Sequence, residues 1–406
     1  MAKDSSSFTN LLKNNYYPEV MMDLLEKDNR AVQFVFKNKK FDGGVRIQAP
    51  VRVRRASGST WYQSETGQSP TAAEPTDTTA YDNMKFLYTN KEISQHLINS
   101  TRNKSYAYLR GVDDLATDAS GEHGDQMERH LFTTDTGALC AMSGAGTSAT
   151  VLNLATDFNF DLLYKGMAVD VLRITEGDVN SVGVDGDTVA SWDASSYTVT
   201  LTTGVTDYSS LSTSYGLFAS NTRYSTTNYA PNSLNDICGT GNLHNVLVAS
   251  YPEYVGNVIT ASAALDLKTC QRMVDEIERK CKGKIGMILG HDNILRDYQF
   301  DIIDARTIQE PGNGLAGTGA IYFKGRSKKR IELVGSFYAN PNDRLWFLDQ
   351  DSIKTYYTAF SDWCEDDNGE LLHKKSGYPL YEALLGSEYN LIAFARYRNG
   401  YIDNIT

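Results

Sequence analysis

Three groups of residues have types and spacing that could serve chemistry. Gly312-Asn313-Gly314-Leu315-Ala316-Gly317 matches the dinucleotide fingerprint G-x-G-x-x-G letter for letter. Gly144-Ala145-Gly146-Thr147-Ser148-Ala149 comes close to it, with Asp170 at about the interval where an acid meets a ribose. Such a site needs a strand before the glycines and a helix after them, so that the helix N-terminus faces the pyrophosphate. Pro311 precedes the first motif and a strand-like run, Ala320–Phe323, follows it, while the second motif follows what reads as a long helix. Both are therefore expected to be loops. Glu122, His123, Asp125, Glu128 and His130 are the densest group of metal-ligand side chains. They do not spell H-E-x-x-H, and the two histidines stand about two helical turns apart, so a solvated helix face is expected. No G-x-S-x-G elbow, Walker A loop or paired Cys/His nucleophile occurs. The residues supply no catalytic, cofactor or metal site, and an enzyme is not expected.

Composition narrows the remaining classes. The net charge of -11 argues against a protein that grips nucleic acid through a basic face, though not against a container that holds it loosely. Cys140, Cys238, Cys270, Cys281 and Cys364 are odd in number and widely spaced, which fits neither a disulfide framework nor a zinc site and suits a reducing cytosol. The opening MAKDSSSFTNLLKNNYYPEV lacks the apolar core of a signal peptide, and no run of about 18 apolar residues exists to span a membrane. A count of 25 Tyr against 9 Pro suits wet contact surfaces, and equally a β-rich chain.

Stepping along the chain, Phe8, Leu11, Leu12, Tyr16, Val20, Met21, Leu24 and Leu25 have helical spacing within 8–35, interrupted at Pro18. Val45, Ile47, Ala49, Val51 and Val53 then alternate with Arg46, Gln48, Arg52 and Arg54, a strand with one basic face. A polar stretch over 56–79 leads to a second alternating run through Met84, Phe86 and Tyr88, so that the two runs are expected to pair as a long hairpin. An isolated hairpin is marginal in water, so it should lie on something else, such as a neighbouring subunit. Helical spacing resumes over Tyr106–Phe132, weakened by Gly111, Gly121 and Gly124. Residues 150–230, rich in Thr, Ser, Val and Asp, read as a small all-β insertion, with strands at Ala168–Ile174, Thr188–Trp192 and Tyr197–Leu201 and Asp185-Gly186 as a hairpin turn. Its core is expected to include Val169, Val171 and Trp192. Asp266 should cap a helix bearing Leu267, Cys270, Met273, Val274, Ile277 and Cys281 on one face. A strand at Ile285–Leu289 and a helix near Ile294–Phe300 follow, then strands at Ala320–Phe323, Ile331–Val334, Leu345–Leu348 and Leu391–Tyr397. Lys324–Arg330 reads as a charged hairpin and Asp362–Glu370 as a solvated loop.

In this order the parts resemble the Hong Kong 97-type major capsid proteins of tailed bacteriophages. The phrases that carry the resemblance are RHLFTTDTGAL (Arg129–Leu139), LLYKGMAVDVLRI (Leu162–Ile174), LDLKTCQRMVDEIERKCKGKIGMILGHDNILRDY (Leu265–Tyr298), RLWFLDQDSIKTY (Arg344–Tyr356) and the closing ARYRNGYIDNI. The resemblance implies an α+β fold. Its parts would be an N-terminal arm (1–40), an E-loop hairpin (41–90), a peripheral domain with a spine helix (91–149), the β insertion (150–230), an axial domain (231–350) and a return to the peripheral domain (351–406). It also implies hexamers and pentamers in an icosahedral shell around double-stranded DNA, with non-specific DNA contact. Portal and scaffolding proteins are expected partners, a decoration protein is a further one, and assembly belongs in the host bacterial cytoplasm, without a membrane or a cofactor.

Some members of that family weld subunits through an E-loop lysine. Between Phe41 and Met84 this chain has no Lys, and Lys39, Lys40 and Lys85 lie at the hairpin base. Shell strength is therefore expected from non-covalent contacts. Arg46, Arg52, Arg54 and Arg55, with Trp61 and Tyr62 near the tip, are the candidate intersubunit contacts, because Arg makes bidentate pairs with carboxylates. A merely solvated basic face fits the same residues. Two other readings suit the sequence: a β-rich tail or glycan-binding module, favoured by the Thr-rich segment, and an encapsulin-like cargo shell. Particle imaging separates the first from a capsid, and co-purified DNA or enzyme the second.

Overall fold

A computed structural model describes residues 30–37, 39–41, 44, 46–55, 74–95, 105–133, 137–156, 158–175, 183–224, 227–263, 265–281, 284–296, 322–324, 330–339, 344–365, 371–375 and 377–405. Of the helical pattern expected over 8–35, only α1 (Arg30–Val35) falls among them. It buries Ala31, Val32 and Val35, with Phe36 beyond its end. After β1 (Lys39–Phe41) the basic run forms β2 (Arg46–Arg54), whose burial alternates as its sequence does, with Ile47, Ala49 and Val51 inward.

The pairing of β2 differs from expectation. Its partner is β3 (Thr76–Asn83), which starts within the stretch read as polar loop and runs past its end, in the register Arg46↔Asn83 to Arg52↔Asp77. A strand made of Thr and Asp, with Ala80 as its one fully buried residue, has no apolar alternation to announce it. The run containing Phe86 and Tyr88 is instead β4 (Lys85–Ser94), which leaves the hairpin and joins another sheet. The described part of the hairpin does lie on something, and that is its own chain. Ile47 and Ala49 pack with Met84, Tyr356 and Ile392, while Val51 and Ala80 pack with Val246 and Tyr254.

The long helix α2 (Ser105–Leu131) spans ~40 Å at about 1.5 Å per residue. It stops where the Thr133 hydroxyl donates to the His130 carbonyl at 3.0 Å and Phe132 N–H closes a tighter turn onto Arg129. Beyond it a six-stranded antiparallel sheet gathers β5 (Cys140–Ala141), β6 (Val151–Asn153), β7 (Ala168–Arg173), β8 (Val184–Asp193), β9 (Thr198–Leu201) and β10 (Tyr215–Ala219), in the order β5-β10-β7-β8-β9-β6. Its core holds Val169 and Val171, as expected, with Leu152, Val189, Val199 and Leu217. Trp192, expected inside, is 38% exposed, because it sits in the outward-facing end of β8. Asp185-Gly186 is not a hairpin turn. It lies within β8 at a register shift, where Gly186 takes φ +73° and its N–H is held by the Asp170 carboxylate at 2.7 Å. The sheet begins at Cys140, ahead of the expected boundary at 150, and Leu139 N–H donates to the Leu217 carbonyl, so the entering and leaving ends of the unit lie side by side.

A short ribbon, β11 (Arg223–Tyr224) with β12 (Thr227–Asn228), leads to α3 (Leu234–Cys238), whose Ser233 and Asp236 form a reciprocal capping box. Then come β13 (Asn257–Ala263) and α4 (Leu267–Cys281). Asp266 accepts from Thr269 N–H at 2.6 Å, the cap expected of it, and Cys270, Met273, Val274 and Ile277 are buried at helical spacing. Each such burial contributes about 1.5–3 kcal/mol relative to exposure. The helix covers a second six-stranded sheet, β13-β21-β17-β14-β16-β15, made of β14 (Met287–Gly290), β15 (Tyr322–Lys324), β16 (Arg330–Gly335), β17 (Leu345–Leu348) and β21 (Gly400–Ile405). The antiparallel pairing of β15 and β16 brackets the basic run as its charged-hairpin reading requires. A helical turn over 292–296 lies where the second helix was expected. The GNGLAG motif, residues 366–370 of the acidic run, Trp61 and Tyr62 lie outside the described residues.

The third sheet joins the ends of the chain. β18 (Ile353–Trp363) and β20 (Leu380–Ala393) pair along most of their length, with β1 parallel to β18, β19 (His373–Lys374) on β20, and β4 antiparallel to β20 from Lys85↔Tyr389 to Ser94↔Leu380. Sequence reading placed the last strand at Leu391–Tyr397, whereas β20 starts at Leu380 and ends at Ala393, and 396–398 form a turn of tight helix. One core unites the layers: Phe36, Met127, Leu131, Ile237, Trp346, Tyr389 and Leu391 belong to one cluster.

Candidate intersubunit surface

Because β2 turns its apolar face inward, its arginines necessarily face out. Arg46, Arg52, Arg54 and Arg55 are all exposed. The structure brings the first three to partners on their own chain. Arg46 lies over the Tyr81 ring, 3.6 Å from its centroid. Arg52 Nε donates to Asp77 Oδ1 at 2.9 Å across the hairpin, holding that carboxyl below its usual range and its own guanidinium above. Arg54 Nε donates to Glu253 Oε1 at 3.0 Å, and its Nη2 also reaches that oxygen. With more than half of the Arg52 and Arg54 side chains open to solvent, these pairs fix side-chain direction more than they stabilise the fold.

The group read as a solvated helix face is the largest departure from expectation. His123, Glu128 and His130 are buried, and only Glu122 and Asp125 stay partly open. The reason is tertiary: α2 is enclosed between the β4–β20 sheet on one side and the end of β16 on the other. His123 lies between the Thr89 and Ser387 hydroxyls, 3.0 Å from Nδ1 and 2.7 Å from Nε2. Burial drops its imidazole to about 4, and that of His130 likewise, with Arg129 adding to the latter. Glu128 accepts from the Ser336 hydroxyl, and burial pushes its carboxyl up to about 7. No group of three potential metal ligands converges among the described residues, and His123 and Glu128 are interior polar groups met by hydroxyls. Gly144–Ala149 is a loop, as its context suggested, and Asp170 braces backbone N–H groups of Gly186 and Asn221. No helix of the described residues is long and apolar enough to cross a membrane. Cys140, Cys238, Cys270 and Cys364 are free thiols.

Sequence reasoning missed two features. The buried guanidinium of Arg396 donates to five carbonyls, of Asp236, Ile237, Gly239, Gly241 and Tyr254, and so ties the last turn of the chain to the end of α3. The other is a groove of about 550 Å³ along β4, walled opposite by Tyr164, Ala219–Thr222 and Tyr229. Neither has a local sequence signal, because each is assembled from segments far apart in the chain.

No protein-family model matches the chain, and no curated protein matches it. A chain of the cyanophage A-1(L) capsid asymmetric unit is similar with a TM-score of 0.57 at 13% identity, covering 93% of this chain and 93% of that one. A chain of the satellite phage P4 procapsid is similar at a TM-score of 0.45 and 8% identity, over 100% of this chain and 98% of that one. An encapsulin of Synechococcus elongatus PCC 7942 is similar at 0.43 and 7% identity, over 93% and 87%. The first of these likenesses takes in nearly the whole of both chains, and the chain therefore has the Hong Kong 97-type α+β capsid fold.

Proposed function

We propose that the chain is a major capsid protein, a structural subunit that assembles as hexamers and pentamers into an icosahedral head around double-stranded DNA. The observation that carries this reading is the match to a cyanophage capsid chain over 93% of both chains, which leaves little of either outside the shared fold. In this reading β2–β3 with residues 56–75 are the E-loop, α2 is the spine helix, the β5–β10 sheet is an addition to the shell fold, and the sheet under α4 is the axial domain. The exposed arginines of β2 are the intersubunit contacts, joined by Trp61 and Tyr62 at the tip. The protein acts in the virion and has no catalytic step to perform. Portal, scaffolding and decoration proteins are its further partners, and DNA is held without sequence contact.

Electron microscopy of the purified, concentrated protein tests the reading: closed shells are expected, and a monodisperse monomer under all assembly conditions would overturn it. Nucleic acid inside shells from infected cells is the outcome for a capsid, and enzyme cargo the outcome for a compartment. Boiled in detergent, the shells should release a single band near 45.0 kDa, because the E-loop carries no lysine to weld. A ladder of multimers would show a covalent link.

A further inference from the structure

The β5–β10 sheet closes on itself. Met142 and Leu154 bridge its two end strands, Ser143 N–H donates to Asn153 O, and Ala155 N–H donates to Ala141 O. The unit is therefore a small barrel around its own apolar core, and a closed, packed barrel moves as one piece. The chain enters it beside Leu139 and leaves it after Ala219. On the side facing β4 and α2 the groove of about 550 Å³ lies between Tyr164, Ala168 and Asn221 of the barrel and Glu122 and Gln126 of α2.

Elsewhere the barrel rests on the segment that follows β16. Asn159 Nδ2 donates to Phe337 O at 2.9 Å and to Ala339 O at 2.7 Å, and Tyr338 packs against both the barrel core and the core that holds α2. That segment is fastened to α2 by two acids: Glu128 accepts from the Ser336 hydroxyl, and Asp125 meets the Tyr338 hydroxyl. Arg129 completes the joint. Its guanidinium lies 5.7 Å from the ring centroid of Tyr164 on the barrel and 5.5 Å from that of Tyr338, and its buried Nε and Nη1 have no hydrogen-bond partner among the described residues. The titratable and charged groups that face Glu128 among the described residues are Asp125 and Arg129 on α2 and Tyr338 beyond β16, while the barrel brings Tyr164. Glu128 is only 3% exposed, so ionising it in place strips a carboxylate of its water, and parting the joint gives that water back.

We infer that the Glu128–Ser336 contact is a proton-operated latch: protonated Glu128 keeps residues 336–339 and the barrel seated on α2, and ionised Glu128 releases them, so that the barrel swings on its two chain connections. The latch belongs to the subunit itself and stands whether or not shells form. Its sense follows from burial. The carboxyl titrates at about 7 with the joint closed and at 4.5 once water reaches it, so the closed joint binds the proton more tightly. Opening is therefore favoured progressively as pH climbs from 4.5 to 7, by about 300-fold in all, and levels off above.

Hydrogen exchange of the full-length subunit, corrected for the intrinsic rate at each pH, tests this over 158–163 and 336–339. The opening equilibrium of both segments should rise by about 70-fold between pH 5 and pH 8.5 in the parent and stay flat in Glu128→Gln. Ser336→Ala, which removes the hydroxyl that favours the ionised form, should move the plateau to higher pH. Helix α4, outside the joint, should show no such rise in any of the three proteins. A flat parent, the same rise in Glu128→Gln, an unmoved plateau in Ser336→Ala, or a matching rise across α4 would each overturn the latch.

Discussion

The Ser336 hydroxyl donates to Glu128 Oε1 at 2.5 Å, joining the long helix α2 to the end of β16 inside the protein. This carboxyl is pushed up to about 7 by burial, with Asp125 adding to the rise and the Ser336 hydroxyl opposing it. The folded chain therefore holds this proton more tightly than the unfolded chain does. Below about pH 4.5 both states are protonated, and as pH climbs to about 7 the fold loses up to about 3 kcal/mol from this group. Glu128→Gln should raise the unfolding midpoint relative to the parent above pH 7 and leave it nearly unchanged below pH 4.5. Thermal melts across that range decide it, and an equal shift at every pH would place the effect in packing alone.

His123 works in the opposite sense. Burial lowers its pKa from 6.5 to about 4, so the unfolded chain takes up the proton first and stability falls as pH drops through that window. The share of this one ring is up to about 3 kcal/mol. His123→Gln, which stays neutral, should flatten the acid limb of the stability profile between pH 6.5 and 4. An unchanged acid limb in denaturant titrations would count against a neutral, buried imidazole.

Arg396 is expected to be among the least replaceable side chains. Its removal takes the guanidinium donor from five carbonyls, those of Asp236, Ile237, Gly239, Gly241 and Tyr254, in the interior. Arg396→Ala should cost about 3–5 kcal/mol. Arg396→Met keeps much of the volume but no donor and should rescue little. A methionine variant as stable as the parent, by urea titration, would show that packing and not hydrogen bonding is the role of this residue.

Reversal of the basic hairpin face should separate assembly from folding. Arg52→Glu with Arg54→Glu breaks two exposed pairs, with Asp77 and Glu253, which solvent screens and which contribute little to the fold. The soluble subunit should keep its circular dichroism and melt within a few degrees of the parent, while particle yield falls severely. Normal yield would remove these arginines from the contact surface.

What the sequence determined by itself is the set of elements whose signal is local. The one-sided alternation of β2, the Asp266-capped stripe of α4, the long helix α2 and the inward Val169 and Val171 were legible because periodicity and caps act within a few residues. Tertiary structure alone decided how those elements are used. The polar strand β3 exists because β2 offers it a ladder and because Val246 and Tyr254 cover Ala80. His123 and Glu128 look like surface residues on a helical wheel, yet hydroxyls from Thr89, Ser387 and Ser336 meet them in the interior. Asp185-Gly186 spells a hairpin turn, but Asp170 holds Gly186 within a strand. In each case a partner distant in sequence supplied the hydrogen bond or the apolar cover, and burial made that contact outweigh the local preference.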